Sequence, residues 1–163
     1  MSRPPALHPD VTPLEFLVGT WKGEGAGRYP TITPFSYGEE VRFWHVGKPF
    51  LAYSQTTWSL ADGVPMHAET GFWRPKPGSR VEIVLAHPSG VVEVEEGGME
   101  TVAGTTHIEV ATTSVALTTT AKPVNALTRS FTIDGDRLTY SVGMAAVGRP
   151  LQHHLGAELH RVH

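Results

Sequence analysis

The sequence predicts an all-β fold, a ten-stranded antiparallel up-and-down barrel, and three observations carry that prediction. Thirteen prolines and seventeen glycines among 163 residues exceed ordinary usage, so turns must be frequent. Val, Thr and aromatic residues, which suit a pleated and half-buried surface, fill the stretches between those turns. No segment of helix length separates consecutive strand-like runs, so the connections are local and antiparallel. An open sheet of about ten strands would leave two long edges and one bare face, and closure removes both. A barrel that wide is not filled by its own side chains, and a ligand cavity is the expected consequence.

The elements follow in order. Residues 1–12, with Pro4, Pro5 and Pro9, read as an irregular lead-in to a single domain over residues 13–163. Pro13-Leu14-Glu15-Phe16-Leu17-Val18 has the apolar spacing of one or two helical turns, stopped by Gly19. Hairpin turns are expected at Gly47-Lys48-Pro49, Ala61-Asp62-Gly63, Pro75-Lys76-Pro77-Gly78, Pro88-Ser89-Gly90, Gly97-Gly98 and Asp134-Gly135-Asp136. Alternation at Met66, Ala68, Thr70 and Phe72, and at Leu138, Tyr140, Val142 and Met144, marks the buried faces of two strands.

Composition removes several functions. The net charge is −3 with dispersed basic residues, so no field attracts a phosphate backbone and nucleic acid is not an expected partner. There is no cysteine, which excludes disulfides, zinc ribbons, iron–sulfur clusters, thiolate-ligated haem and a thiol nucleophile. No apolar run reaches the length of a signal peptide or a membrane span, and a soluble, cytoplasmic protein without a membrane partner is expected.

Near the C-terminus His153 and His154 open the last strand-like run. A neutral imidazole on a rigid strand suits a metal or haem iron, because one ring nitrogen donates a lone pair while a hydrogen bond orients the other. Strand periodicity sets His153 in phase with Leu151, Leu155, Ala157 and Leu159, and His154 on the opposite face. A bulge near Pro150 would shift that phase by one residue.

Gly19-Thr20-Trp21-Lys22-Gly23-Glu24-Gly25 fits the pattern G-x-W-x-G-x-G, Tyr29-Pro30-Thr31-Ile32 follows, and Leu151-Gln152-His153-His154-Leu155 supplies the terminal histidine. Together these resemble the nitrobindin family, over nearly the whole chain from Pro13 onward. The resemblance implies a fatty-acid-binding-protein-like barrel holding one haem b in a relatively open site. It also implies ferric haem that isomerises peroxynitrite to nitrate and binds nitric oxide reversibly. The axial ligand it implies is His154, with His153 second, and it places Thr31 against the haem.

Other residues take expectations beside that resemblance. Met66 and Met144 are candidates to line the distal side as soft, weakly ligating side chains. His67, next to Met66, would point away from the cavity in a regular strand. Arg129 and Lys122 are candidates to pair with haem propionates at an exposed porphyrin edge. Trp21 reads as a plug at the closed end of the barrel. His8, His45, His87, His107, His160 and His163 read as surface or strand residues. Two rivals to the enzyme stand: a nitric oxide carrier or sensor without turnover, and a haem-free lipophile carrier in which Arg129 meets a fatty carboxylate. A homodimer is compatible with apolar strand faces near the terminus.

Overall fold

The structure, a computed structural model, describes residues 2–163. A 3-10 helix (Pro9–Leu17) precedes ten strands: β1 (Gly19–Tyr29), β2 (Ile32–Trp44), β3 (Leu51–Ser59), β4 (Pro65–Lys76), β5 (Arg80–Ala86), β6 (Val91–Val102), β7 (Thr105–Leu117), β8 (Val124–Asp134), β9 (Arg137–Ala146) and β10 (Gln152–Val162). Each strand pairs antiparallel with its sequence neighbours, and β1 pairs with β10 from Thr20 opposite Val162 to Gly27 opposite Leu155, which closes the barrel. Among the described residues no strand edge of the barrel is left unpaired.

The helix begins at Pro9, inside the stretch expected to be irregular. Its start is fixed by His8, whose Nδ1 accepts the Asp10 N–H at 3.2 Å, and by a proline at the first helical position, where no N–H is needed. Val11, Leu14 and Leu17 are fully buried against the barrel end. Trp21 fills that end as expected, its indole N–H donating to the Leu17 carbonyl at 2.9 Å. The Arg161 guanidinium lies 4.3 Å from the indole ring centroid and donates to the Phe16 and Val18 carbonyls. One arginine from the last strand thus satisfies the helix C-terminus and covers the plug.

Five of the six expected turns are turns. Gly47, Gly63, Gly78, Gly90 and Gly135 all take positive φ there. Gly97-Gly98 is the exception and lies inside β6. A side chain at Gly97 would collide with the Glu109 carbonyl of β7, so the glycine permits close backbone approach. The turn falls instead at Ala103-Gly104, both with positive φ.

The β9 alternation holds, with Leu138, Tyr140, Val142 and Met144 all facing the interior. The β4 alternation is inverted. Glu69 and Trp73 are buried inside, whereas Phe72 is 48% exposed on the outer face, where it packs edge-on against Phe50. The apolar core gathers around the helix and Trp21, including Phe43, Leu51, Trp73, Ile83, Ile108 and Leu159. It fills the closed end and leaves the other end hollow.

Replacing the plug tests this division. Trp21→Ala removes a large buried ring and the Leu17 bond, and is expected to cost about 3–5 kcal/mol. The readout is a lowered guanidinium chloride midpoint with an unchanged m-value.

Candidate functional site

A cavity of about 540 Å³ opens at the end opposite the helix. At its mouth stand the β1–β2 turn, the β7–β8 connection with Lys122, the end of β9 and the start of β10. Four of the expected residues, His154, Lys122, Met144 and Thr31, meet there. Met66 lines the inner cavity from the start of β4.

His154 owes its position to a bulge. In the β9–β10 register His153 faces Gly143 and Leu155 faces Val142, so His154 is an extra residue without a partner. A bulge breaks the period of two and turns His154 to the same side as Leu155. Both line the cavity, while His153 is exposed on the outer face. His154 Nδ1 lies 3.0 Å from the Arg28 carbonyl oxygen. A carbonyl only accepts, so Nδ1 carries the proton and Nε2 of the neutral ring keeps its lone pair. Burial lowers the pKa of this half-buried ring against the raising effect of the Arg28 bond, which favours the neutral form. The Tyr29 ring packs edge-on against it at 5.4 Å, and the Tyr29 hydroxyl accepts the Ala146 N–H at 2.9 Å. This ties β1 to β9 beside the imidazole.

Arg129 corrects an expectation. It is not at an exposed edge but buried in the interior, donating from Nε to Glu95 at 2.9 Å, from Nη2 to Glu93 at 2.8 Å and from Nη1 to Glu69 at 3.2 Å. Three carboxylates of the same chain surround it, so a propionate reaching it would meet like charge. Lys122 alone of the two stays exposed at the rim.

The cavity floor is therefore polar. Burial raises the Glu69 carboxyl, and the Arg129 charge, the His67 bond and His87 outweigh it and hold it at about 2. Glu93 is likewise held well below the usual carboxylate range, Arg129 and the His87 bond outweighing burial. Burial pushes Glu95 up to about 9, with neighbouring Glu93 adding to the shift against Arg129. A proton on Glu95 also serves Glu93 Oε1 and Glu95 Oε2, two buried oxygens otherwise without partners. Glu39, beside Gln55 and Tyr140, is raised by burial to about 7.

Two histidines of the cavity escaped the sequence reading. His67 lines it rather than pointing away, because the inverted phase of β4 puts it on the same face as Glu69 and Trp73. The register shift beyond it, where Thr57 faces His67 and Trp58 faces Pro65, leaves Met66 unpaired and lets it line the cavity as well. His87, expected at the surface, follows β5 in a tight turn and is nearly buried, hydrogen-bonded to Glu93 through Nε2. The V-E-V-E run from Val92 to Glu95 held the only available signal, and it misleads, since Glu93 and Glu95 face in while Val92 and Val94 face out.

A closed barrel with a cavity at one end and a backbone-oriented imidazole at its mouth defines a ligand-binding β-barrel. Known proteins then fix the family. The model of the THAP4-like, heme-binding beta-barrel domain matches residues 10–161. "Peroxynitrite isomerase 2" of Mycobacterium avium (strain 104) is 60% identical over 159 residues, 97% of this chain and 98% of that protein. "Peroxynitrite isomerase 1" of Mycolicibacterium paratuberculosis is 59% identical over the same shares. The crystal structure of Rv2717c from M. tuberculosis superposes with a TM-score of 0.94 at 52% identity, covering 97% of this chain and 100% of that one. The chain belongs to the THAP4-like haem-binding β-barrel family, the nitrobindins, and haem is its cofactor. No helix among the described residues is long and apolar enough to cross a membrane.

The buried carboxyls make stability pH-dependent in a defined direction. Glu95 holds its proton in the fold up to about pH 9 and loses it near 4.5 when unfolded. Between those values the folded state binds more protons, so stability falls as pH rises, by at most about 1.4 kcal/mol per unit. Glu95→Gln mimics the protonated form. Its stability relative to the parent is expected to grow from pH 5 to pH 9, measured by denaturation midpoints at each pH.

Proposed function

We propose that this chain isomerises peroxynitrite to nitrate with a haem b ligated by His154, and binds nitric oxide at the same iron. The observation that carries the reading is the His154 ring itself, placed in the cavity by a bulge, fixed in one tautomer by the Arg28 carbonyl, and left with a free Nε2 lone pair. This is how a protein presents an imidazole to iron. When bound, a ferric haem would supply the iron chemistry by which peroxynitrite is isomerised to nitrate. The names of the relatives support that reaction.

The chain's own part is to hold and orient. Tyr29 and the Arg28 carbonyl restrict the His154 ring, Met144, Val124 and Leu155 offer apolar contact beside it, and Lys122 stands at the rim where an anionic propionate would be met. Thr31 borders the same mouth. The haem-free lipid carrier fits less well. Arg129, its proposed carboxylate partner, is already shared among three glutamates, and a fatty carboxylate reaching it would meet like charge.

His154→Ala is expected to abolish the Soret band on haem titration, whereas His153→Ala keeps it. In stopped flow, the ferric parent should speed peroxynitrite decay and raise the nitrate yield, and His154→Ala should return both to buffer values; a ferric parent with no effect on decay refutes the enzyme. Lys122→Ala removes one exposed charge pair and should weaken haem binding about two- to fivefold, with the difference vanishing at high salt.

A further inference from the structure

The wall opposite His154 carries a second convergent group. Around the closed sheet β10 and β5 are five strands apart in either direction, so His154 and His87 face each other across the cavity. Beside His87 stand His67 and Glu69 on β4, and the ligand atoms of these three residues lie within 4.8 Å of one another.

Their spacing is specific. His67 Nε2 is 3.1 Å from His87 Nδ1, His87 Nδ1 is 3.4 Å from Glu69 Oε2, and His67 Nε2 is 3.8 Å from Glu69 Oε2. Three atoms so placed lie on a circle of about 2.0 Å radius, close to a zinc–nitrogen or zinc–carboxylate bond length. Bonds of about 2.1 Å give ligand–ligand edges of about 3.4 Å in a tetrahedron and about 3.0 Å in an octahedron. The observed edges match the tetrahedron, with one corner unfilled.

We infer that His67 Nε2, His87 Nδ1 and Glu69 Oε2 form a binding site for one zinc-class divalent cation, whose fourth position opens into the cavity. Two nitrogens and one oxygen suit a borderline metal and not magnesium or calcium, which take oxygen. The surrounding bonds prepare the ligands. Glu93 accepts from His87 Nε2, which puts the ring proton there and leaves Nδ1 a lone pair. His67 Nε2–H donates to it, and a cation would take the place of that proton, with His67 shifting to its other tautomer. Tyr53 donates to Glu69 Oε1 at 2.7 Å and Arg129 Nη1 donates to the same oxygen at 3.2 Å, while Oε2 faces the histidines and takes a longer bond of 3.5 Å from Arg129 Nη2.

Charge agrees with this assignment. Three buried carboxyl groups, those of Glu69, Glu93 and Glu95, surround the single guanidinium of Arg129. A crowd of buried acidic groups is costly, and a divalent cation beside Glu69 offsets part of that cost. The backbone is prepared too. His87 N–H donates to the Val91 carbonyl at 2.9 Å and its carbonyl accepts from Gly90, so the tight turn sets the ring without help from the cation. The open corner would take water or an anionic oxygen entering from the mouth. None of the three ligands belongs to the residues proposed to hold haem, so the two sites stand or fall separately.

Zinc alone is the probe, offered to the full chain in haem-free and haem-loaded forms. Equilibrium dialysis with metal counting, backed by calorimetry, is expected to find one zinc per chain that raises the thermal midpoint. His67→Ala and His87→Ala should each weaken binding at least about 100-fold, and Glu93→Gln about 10- to 100-fold through the His87 tautomer. His154→Ala should leave zinc affinity unchanged. His67 is partly exposed and its truncation does not threaten the fold, which circular dichroism confirms before titration. Zinc uptake that is the same in His67→Ala as in the parent, or no uptake by either form of the parent, overturns the site.

Discussion

The guanidinium of Arg129, buried among Glu69, Glu93 and Glu95, is the constraint on which the hollow half of the barrel depends. It links β8 to β4 and β6 across the interior, where no backbone hydrogen bond reaches. A ten-stranded barrel is too wide to be filled by side chains from one wall alone, and charge-assisted bonds span the gap that methyl groups would leave. Taking away one partner would strand uncompensated charge in the interior, so the members hold one another in place. The same network sets the depth of the cavity, since the apolar core below it is continuous with Trp21 and the helix.

Stability alone gives no reason for such a floor. Replacing buried ion pairs with well-packed apolar residues is often neutral or favourable. What an apolar floor would not supply is two ionised carboxylates beside two imidazoles, with a third carboxyl kept protonated by burial and by Glu93. The charges therefore answer to the chemistry of the cavity, and the closed-end core supplies the folding energy that tolerates them.

The architecture was legible in the sequence because turns and closure are local matters. Glycines at positive φ and the absence of helix-length gaps fixed ten strands and their order. The site was legible only in part, and each miss has the same cause. Hydropathic alternation assumes that the inside is apolar, which holds for β9 and fails for β4 and β6, where Glu69, Glu93 and Glu95 face inward and Phe72, Val92 and Val94 face solvent. Arg129 was a candidate partner for propionates because a charged side chain is ordinarily exposed, and its three buried carboxylate partners had given no apolar signal to place it inside. His67 shares the misread phase of Glu69, whereas His154 sits at a register shift, which no periodic rule reads, and only the family resemblance chose His154 over His153. His87 was passed over because a residue in a turn carries no phase at all.

The two facing imidazoles also differ in a way that the fold imposes. His154 donates its Nδ1–H to a backbone carbonyl, a neutral partner that fixes orientation and leaves the ring an ordinary neutral donor. His87 is held instead by the Glu93 carboxylate, which accepts from its Nε2 and leaves the opposite nitrogen turned to His67 and Glu69. Burial of the half-exposed His154 favours the uncharged ring, whereas His87 stands between the carboxylates of Glu69 and Glu93. One cavity thus contains a neutral donor at its mouth and a cation-seeking cluster at its far wall. An anionic ligand entering between them meets a field that is not symmetric, and that asymmetry comes from which partner each histidine's second nitrogen finds.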